Sequence, residues 1–361
     1  MKIDFAKLQY QYKLYKTEID ESIQAVLNKS NYIMGEEIEQ LEKSLHSFTK
    51  AKFVISCSNG TDALILALMA LGIEPGDEII TTPFTFIATA EAIVLVGAVP
   101  VFVDIDEKTY NIDTSLLEEK ITKNTKAILV VHLYGKVCDM DEIISVANKY
   151  SIPIIEDAAQ SAGSTYKGKK TGTFGKIGCF SLHPTKNLSG ITDGGVITTE
   201  NKEIAQYFKE VRNHGLIDRD TQSIIGRVSR LNSLNAVIVN YRLTKLDSLL
   251  KLRVQSAGVY RKLLKNVSEV DLISVPTYIY HTYHTFVIQV RKRDKLKKFL
   301  FSKGIDSKIH YPIITIDQKP YKNMQIELSN TKKCCDSILS LPIGNTSKKE
   351  IQYISNKIKE F

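Results

Sequence analysis

The stretch KFVISCSNGTDALILALMAL, residues 52–71, holds the pattern from which the fold is read. Its first seven residues form a short β-branched run that stops at Asn59 and Gly60, and a segment of helical length begins at Thr61. The same alternation continues downstream. EIITTPF (78–84), VPVFVDID (99–106), KAILVVHLYG (126–135) and IPIIEDAA (152–159) read as strands, separated by helical segments such as 61–71 and 140–149. Strand alternating with helix predicts an α/β fold whose mostly parallel sheet is sandwiched by helices. Two more strand-like runs, CFSLHP (179–184) and GGVITTE (194–200), follow a Gly- and Lys-rich segment, 166–178, that reads as an exposed hairpin or loop.

Ahead of this region, Ile19, Ile23, Val26 and Leu27 share one face of an opening helix, with Thr17 and Asp20 spaced as a capping box. Ile38, Leu41 and Leu45 mark a second stripe. Beyond the sheet, 243–253 reads as a long connecting helix. TYHTFVIQV (282–290), DKLKKFLFSKG (294–304) and a last helix with Ser347, Glu350, Ile351, Ile354 and Ile358 suggest a smaller α+β domain. The expected division is a large domain with N-terminal helices, 1–245, and a small C-terminal domain, 246–361.

Hydrophobic residues at 43% and charged residues at 24% suit an ordinary soluble chain, and no run approaches the ~18 apolar residues of a membrane span. The opening MKIDFAKLQYQYK has neither an apolar core nor a small-residue cleavage site, so a cytoplasmic protein is expected. Cys57, Cys138, Cys179, Cys334 and Cys335 show no CxxC spacing and read as reduced structural thiols, the last two as ordinary helix residues. The net charge of +8 is thinly spread and not interleaved with aromatics, which argues against nucleic acid and suits an anionic substrate. GSTYKGKK from Gly163 nearly spells a P-loop, yet it ends in Lys170 where Ser or Thr must reach magnesium. His281 and His284 are joined by no other ligand cluster, so no metal site is expected and both read as structural.

Ligands of open α/β sheets gather beyond the carboxyl ends of the strands. At 56–64, SCSNGTDAL, Gly60 admits a close ligand, Thr61 adds a hydroxyl, and free amides at a helix start favour phosphate, although a plain N-cap looks the same. Asp157, a carboxylate directly after an apolar strand, needs a cation or donor; a protonated pyridine nitrogen and a salt bridge fit equally. Lys186 in SLHPTKNL suits a Schiff base to an aldehyde, though a surface lysine reads the same way. Phe86 either lies against an aromatic ring or fills core. His183 either touches substrate or packs.

The strings SNGTDAL, FTFIATAEAI, VHLYG, EDAAQS, HPTKNL, DGGVITT, RNHG, SRLNSLNA, HYPI and SLPI occur in one order. Together they closely resemble the DegT/DnrJ/EryC1/StrS family of sugar aminotransferases, from about Asp4 to the C-terminus. The resemblance implies the aspartate aminotransferase fold type and pyridoxal 5′-phosphate (PLP) as cofactor, with pyridoxamine 5′-phosphate (PMP) as its aminated form. It further implies a homodimer with sites at the interface and L-glutamate as amino donor. Carried over, Lys186 is the Schiff-base lysine and Asp157 the partner of the pyridine nitrogen. Gln160 lies near the phenolic oxygen, Phe86 stacks on the ring, and Gly60, Thr61 and Ser181 hold the phosphate. Arg230, His310 and Tyr311 match positions that contact the sugar in some relatives, with His183 nearby.

Two positions depart from the family pattern. Val228 stands where many relatives carry an Asn that reaches the neighbouring subunit's cofactor, and Thr192 replaces a common glycine. Lys186, where dehydrating members carry His, favours transamination. The opening stretch through SNYIMG and the run EDAAQSAGSTYKGKK are similar to enzymes that aminate C3 of UDP-2-acetamido-2-deoxy-3-keto-glucuronate, with polysaccharide and O-antigen biosynthesis as the setting. In that case Arg230 is the cation for the sugar carboxylate. The alternatives are a dTDP-4-keto-6-deoxy-hexose or dTDP-3-keto-6-deoxy-hexose aminotransferase and, in a different class, a non-catalytic PLP or nucleotide-sugar sensor.

Overall fold

In the computed structural model, which describes residues 1–321, 324 and 326–361, the alternating runs assemble into a seven-stranded sheet. Its strands are β1 (Phe53–Cys57), β2 (Glu78–Thr81), β3 (Val99–Phe102), β4 (Thr125–Val131) and β5 (Ile154–Asp157), followed after the short hairpin β6 (Thr165–Tyr166) and β7 (Lys169–Lys170) by β8 (Ile177–Ser181) and β9 (Gly195–Thr199). The order across the sheet is β1-β9-β8-β5-β4-β2-β3. β9 runs antiparallel to β1 and β8, and the remaining pairs are parallel, so the expected mostly parallel α/β sheet is the one that forms.

Helices α1 (Leu8–Leu14), α2 (Lys16–Lys29) and α3 (Glu36–Thr49) precede the sheet. Helices α4 (Gly60–Ala70), α5 (Ala88–Leu95) and α6 (Met140–Tyr150) connect its strands, and α7 (Lys202–Val211) follows β9. Successive strand residues point to opposite faces. Ile155, Ile177, Cys179 and Ile197 pack with Leu64 and Leu68 of α4 and Phe208 of α7. On the other face, Ile128, Val130 and Ile154 meet Ile143 of α6, and Val54, Phe180 and Val196 meet Leu41 and Leu45 of α3. With both faces covered, the strands can be continuously apolar instead of alternating.

The connecting helix α8 (Ser233–Leu264) is 32 residues long, about 48 Å at 1.5 Å per residue, and extends well beyond 243–253 at both ends. The side chain of Asn232 caps it by accepting the amide of Asn235. Its first half gives Ala236, Val239, Leu246 and Leu250 to the sheet's core, and its second half gives Ala257, Tyr260 and Leu264 to another core. That second core lies between the antiparallel sheet formed by β10 (Val270–Leu272), β12 (Phe286–Val290) and β13 (Ile338–Leu341) and the helices α9 (Arg293–Ser302) and α11 (Lys348–Glu360). β11 (Ile279–Tyr280) instead pairs with β6, and α10 (Ser329–Ser337) precedes β13. Ser347 and Glu350 cap α11 reciprocally. The N-terminus also joins this second core: Ile3 is fully buried there, its amide donating to Gly304 O at 2.8 Å and its carbonyl accepting Asp306 N at 2.9 Å.

Three local expectations need correction. Thr17 and Asp20 form no capping box, because α1 runs almost directly into α2, the helix begins at Lys16, and the Asp20 carboxylate is taken by Lys16 and Tyr12. Leu27 is largely exposed, whereas Ile19 and Val26 are buried. Within 166–178 only the hairpin turn, 167–169, and Lys176 are exposed; Tyr166, Thr171 and Gly172 are buried, and 172–175 is tied inward by Glu156. Among the described residues no helix is long and apolar enough to cross a membrane. All five cysteines are buried and unpaired.

Candidate active site

A cavity of about 380 Å³ lies at the carboxyl edge of the parallel strands. Asp157 ends β5 and Ser181 ends β8, while Gly60 and Thr61 open α4; all four line the cavity. Phe86, Gln160, His183, Lys186, His310 and Tyr311 complete the expected group around it. Arg230 does not line it. Its Nη1 donates to Asn213 at 3.1 Å, and its buried Nε has no partner within the described residues. Val228, nearby, is half exposed and bridges to Asn213.

The Asp157 carboxylate is 6% exposed and oriented by two donors: Thr89 Oγ1 reaches Oδ2 at 2.8 Å, and the Ala159 amide reaches Oδ1 at 3.1 Å. Thr85 lies 2.9 Å from Thr89, so the two hydroxyls form a short relay beside the strand end. Behind this, Glu156 is fully buried and accepts the amides of Gly172, Phe174 and Gly175 at 2.6–2.7 Å and His132 Nε2 at 3.0 Å. Because His132 Nδ1 accepts the Cys138 amide, the ring proton sits on Nε2 and is donated to Glu156. β5 is thereby fixed to the loop that follows it.

Burial pushes the Lys186 ammonium below the ordinary lysine range, and the charge of Asp157 partly opposes that shift. Gln160 accepts the Tyr134 amide at 2.8 Å and donates to Tyr311 at 3.1 Å. The Phe86 ring is 52% exposed, with the Tyr311 ring 5.8 Å away. His310 Nδ1 meets Ser340 at 2.8 Å, and burial lowers this imidazole to about 4, so it is neutral at physiological pH. His284, read from sequence as structural, lines the cavity as well and is held well below the usual range by burial and by Lys186. His281 is structural: its ring stacks on Tyr283 at 3.8 Å, and burial lowers it to about 3.

The family model of the DegT/DnrJ/EryC1/StrS aminotransferase family matches residues 13–359. The chain belongs to this family. Among its relatives is the UDP-2-acetamido-2-deoxy-3-oxo-D-glucuronate aminotransferase of Pseudomonas aeruginosa, 41% identical over 94% of this chain and 95% of that protein. The dTDP-3-amino-3,6-dideoxy-alpha-D-galactopyranose transaminase of Aneurinibacillus thermoaerophilus is 38% identical over 99% of both. The crystal structure of DesV from S. venezuelae with a ketimine intermediate superposes at TM-score 0.97, 32% identical, covering 99% of this chain and 98% of that one. NtdA from Bacillus subtilis with bound cofactor PMP superposes at TM-score 0.92, also 32% identical, covering 99% and 84% respectively.

As a DegT/DnrJ/EryC1/StrS aminotransferase the protein uses PLP, and its cavity fits that cofactor. A carboxylate is presented where a ring nitrogen needs an anion, and a buried amine is available to an aldehyde. For the phosphate, Asn59 takes the amides of Asp62 and Ala63, which leaves those of Gly60 and Thr61 for a ligand. A Cβ on Gly60 would stand 2.8 Å from Ser181 Cβ, so only glycine lets α4 start this close to β8.

Thr85 and Thr89 line this site and Glu156 stands behind it, and none of the three was singled out from sequence. The i, i+4 spacing of the two threonines in TFIATA was the available signal. Glu156, inside the apolar run IPIIEDAA, was another: a carboxylate in a central strand needs donors.

Proposed function

We propose that this aminotransferase moves an amino group from L-glutamate onto C3 of a UDP-linked 2-acetamido-2-deoxy-3-keto-glucuronate. The observation that carries the chemistry is the convergence of Lys186 and Asp157 on one cavity with a phosphate-ready helix start. Bound PLP supplies an electron sink for negative charge on the donor's Cα. Asp157, held by Thr89 and the Ala159 amide, keeps a proton on the ring nitrogen. Lys186 is the base: its lowered proton affinity leaves more free amine at neutral pH to accept the Cα proton. Phe86 covers the ring, Gln160 reaches the phenolic oxygen, and Gly60, Thr61 and Ser181 hold the phosphate. His310, with Nδ1 engaged by Ser340, presents Nε2 to the acceptor, and Tyr311 and His183 flank it.

C3 is favoured because both sugar-named relatives above handle a position-3 amine, and the one with higher identity acts on a UDP-linked sugar. A dTDP-linked keto-6-deoxy-hexose is the second reading, supported by the dTDP relative. We place Arg230 in the neighbouring site of a homodimer, facing the sugar carboxylate; the exposed Ile217, Ile225 and Val228 near it in sequence suit such an interface. A cytoplasmic, polysaccharide-building enzyme follows from this reading.

The test is borohydride reduction of the yellow protein, with mass mapping of the fixed cofactor, followed by glutamate and a screen of UDP- and dTDP-linked keto-sugars. The cofactor is expected on Lys186, and Lys186→Ala should keep its fold yet release no 2-oxoglutarate. Full turnover by Lys186→Ala would refute the assignment.

A further inference from the structure

Asp62 stands in the first turn of α4, directly after the Gly60 and Thr61 amides that are left for the cofactor phosphate, and a carboxylate there repels that group. The helix dipole accounts for an acid at this position but not for where its side chain goes. It is buried and turned toward the segment 227–229. Oδ2 accepts Ser229 Oγ at 2.7 Å and the Ser58 hydroxyl, and Oδ1 takes Arg227 Nη2 at 3.0 Å. Ser229 Oγ in turn accepts the Ser58 amide at 3.3 Å. We propose that Asp62 is a positioning residue for the acceptor half of the reaction: it fastens the segment that carries Arg230 to the phosphate-holding turn, and so sets where Arg230 meets the sugar carboxylate. The inference rests on the role proposed above for Arg230 and adds what places it.

Burial alternates along this segment. Ser229 is fully buried and Leu231 nearly so, whereas Val228 is half exposed and Arg230 partly exposed. An extended chain sends successive side chains to opposite sides, so holding Ser229 inward turns Val228 and Arg230 outward together. Arg230 accordingly misses the chain's own cavity. Main-chain bonds alone do not set this position. Arg227 N donates to Val211 O and Ser229 N to Arg212 O, both at 2.9 Å, which ties the segment to the end of α7; Asp62 ties it to the turn that lines the cavity.

The charges agree with this reading. A carboxylate only accepts, so both serine protons point at Asp62, and Arg227 offsets its negative charge beside the phosphate turn. Arg230 itself is held in one direction: Nη1 donates to Asn213 at 3.1 Å, and the buried Nε has no partner among the described residues. A guanidinium fixed on one side keeps donors for an oxyanion on another. Such a contact is directional, so a shift of the segment that carries it weakens it.

The test uses the PLP-loaded protein with UDP-2-acetamido-2-deoxy-3-keto-glucuronate as the acceptor. Ser229→Ala removes one charge-assisted bond to Asp62 and should raise the acceptor KM about tenfold, the equilibrium weight of such a bond, while glutamate bleaches the cofactor band at the unsubstituted rate. Asp62→Asn should raise that KM as well, yet bind PLP as tightly as before or more tightly, because a negative charge beside the phosphate is gone. Melting temperature controls for folding, and Asp62→Asn carries the test if Ser229→Ala does not fold. A merely structural Asp62 would lose PLP and acceptor together, and that result overturns the proposal. Arg230→Lys separates the remaining failures. If it raises the acceptor KM and the two clamp variants do not, the clamp alone falls; if it leaves that KM unchanged, the acceptor role of Arg230 falls and the clamp with it. No turnover of this sugar by the unsubstituted protein sinks the glucuronate reading and the inference built on it.

Discussion

Glu156→Gln should destabilise the protein far more than its conservative appearance suggests. Oε1 of Glu156 accepts two amides, Phe174 at 2.6 Å and Gly175 at 2.7 Å, while Oε2 accepts Gly172 at 2.7 Å and His132 Nε2 at 3.0 Å. A glutamine offers one oxygen and one NH₂, so in either orientation two N–H donors face another donor in a site with no solvent. Two charge-assisted bonds at about 1.5–3 kcal/mol each give a loss of about 3–6 kcal/mol. Relief of the buried charge's desolvation pulls the net toward the lower end. Set against a typical total stability of about 5–15 kcal/mol, this is a large fraction. The assay is urea unfolding of the cofactor-loaded protein, paired with dialysis to follow PLP retention. Both should fall together, because the next residue is Asp157 and the released loop follows β5. A loss below about 1 kcal/mol would refute the claim that all four donors depend on the carboxylate.

Gly60→Ala should weaken PLP binding by roughly tenfold or more, because its Cβ meets Ser181 at 2.8 Å and the helix start must withdraw from the phosphate; unchanged equilibrium dialysis would count against this. Acid should destabilise the fold through His281, which burial holds at about 3. The unfolded chain protonates this group near 6.5 and the native one does not, so stability present at pH 7 drains as pH falls below about 6.5, by about 2 kcal/mol at pH 5. His281→Asn should flatten that part of the pH–stability curve, and parallel curves for the two proteins would rule the mechanism out.

The sequence made strand identity legible because strands covered on both faces are continuously apolar, and Asp157, Gly60 and Lys186 stood out where such runs end. Strand order was not legible: β1 lies beside β9 across more than a hundred residues, and no local pattern encodes that pairing. The length of α8 was missed for a related reason. Its apolar stripe changes partner midway, from the sheet's core to the second core, so no single periodicity runs through all of it. Arg230 was chosen through family likeness and lies away from the single chain's cavity, which fits a residue that serves another subunit.

The burial of Ile3 between Gly304 and Asp306 has a bearing on how the chain is made. Ile3 leaves the ribosome some three hundred residues ahead of Gly304 and Asp306, and closing so long a loop costs only logarithmically more than closing a short one. A bulky fusion at the N-terminus should therefore disturb the C-terminal core, a region it never meets in the linear order of synthesis.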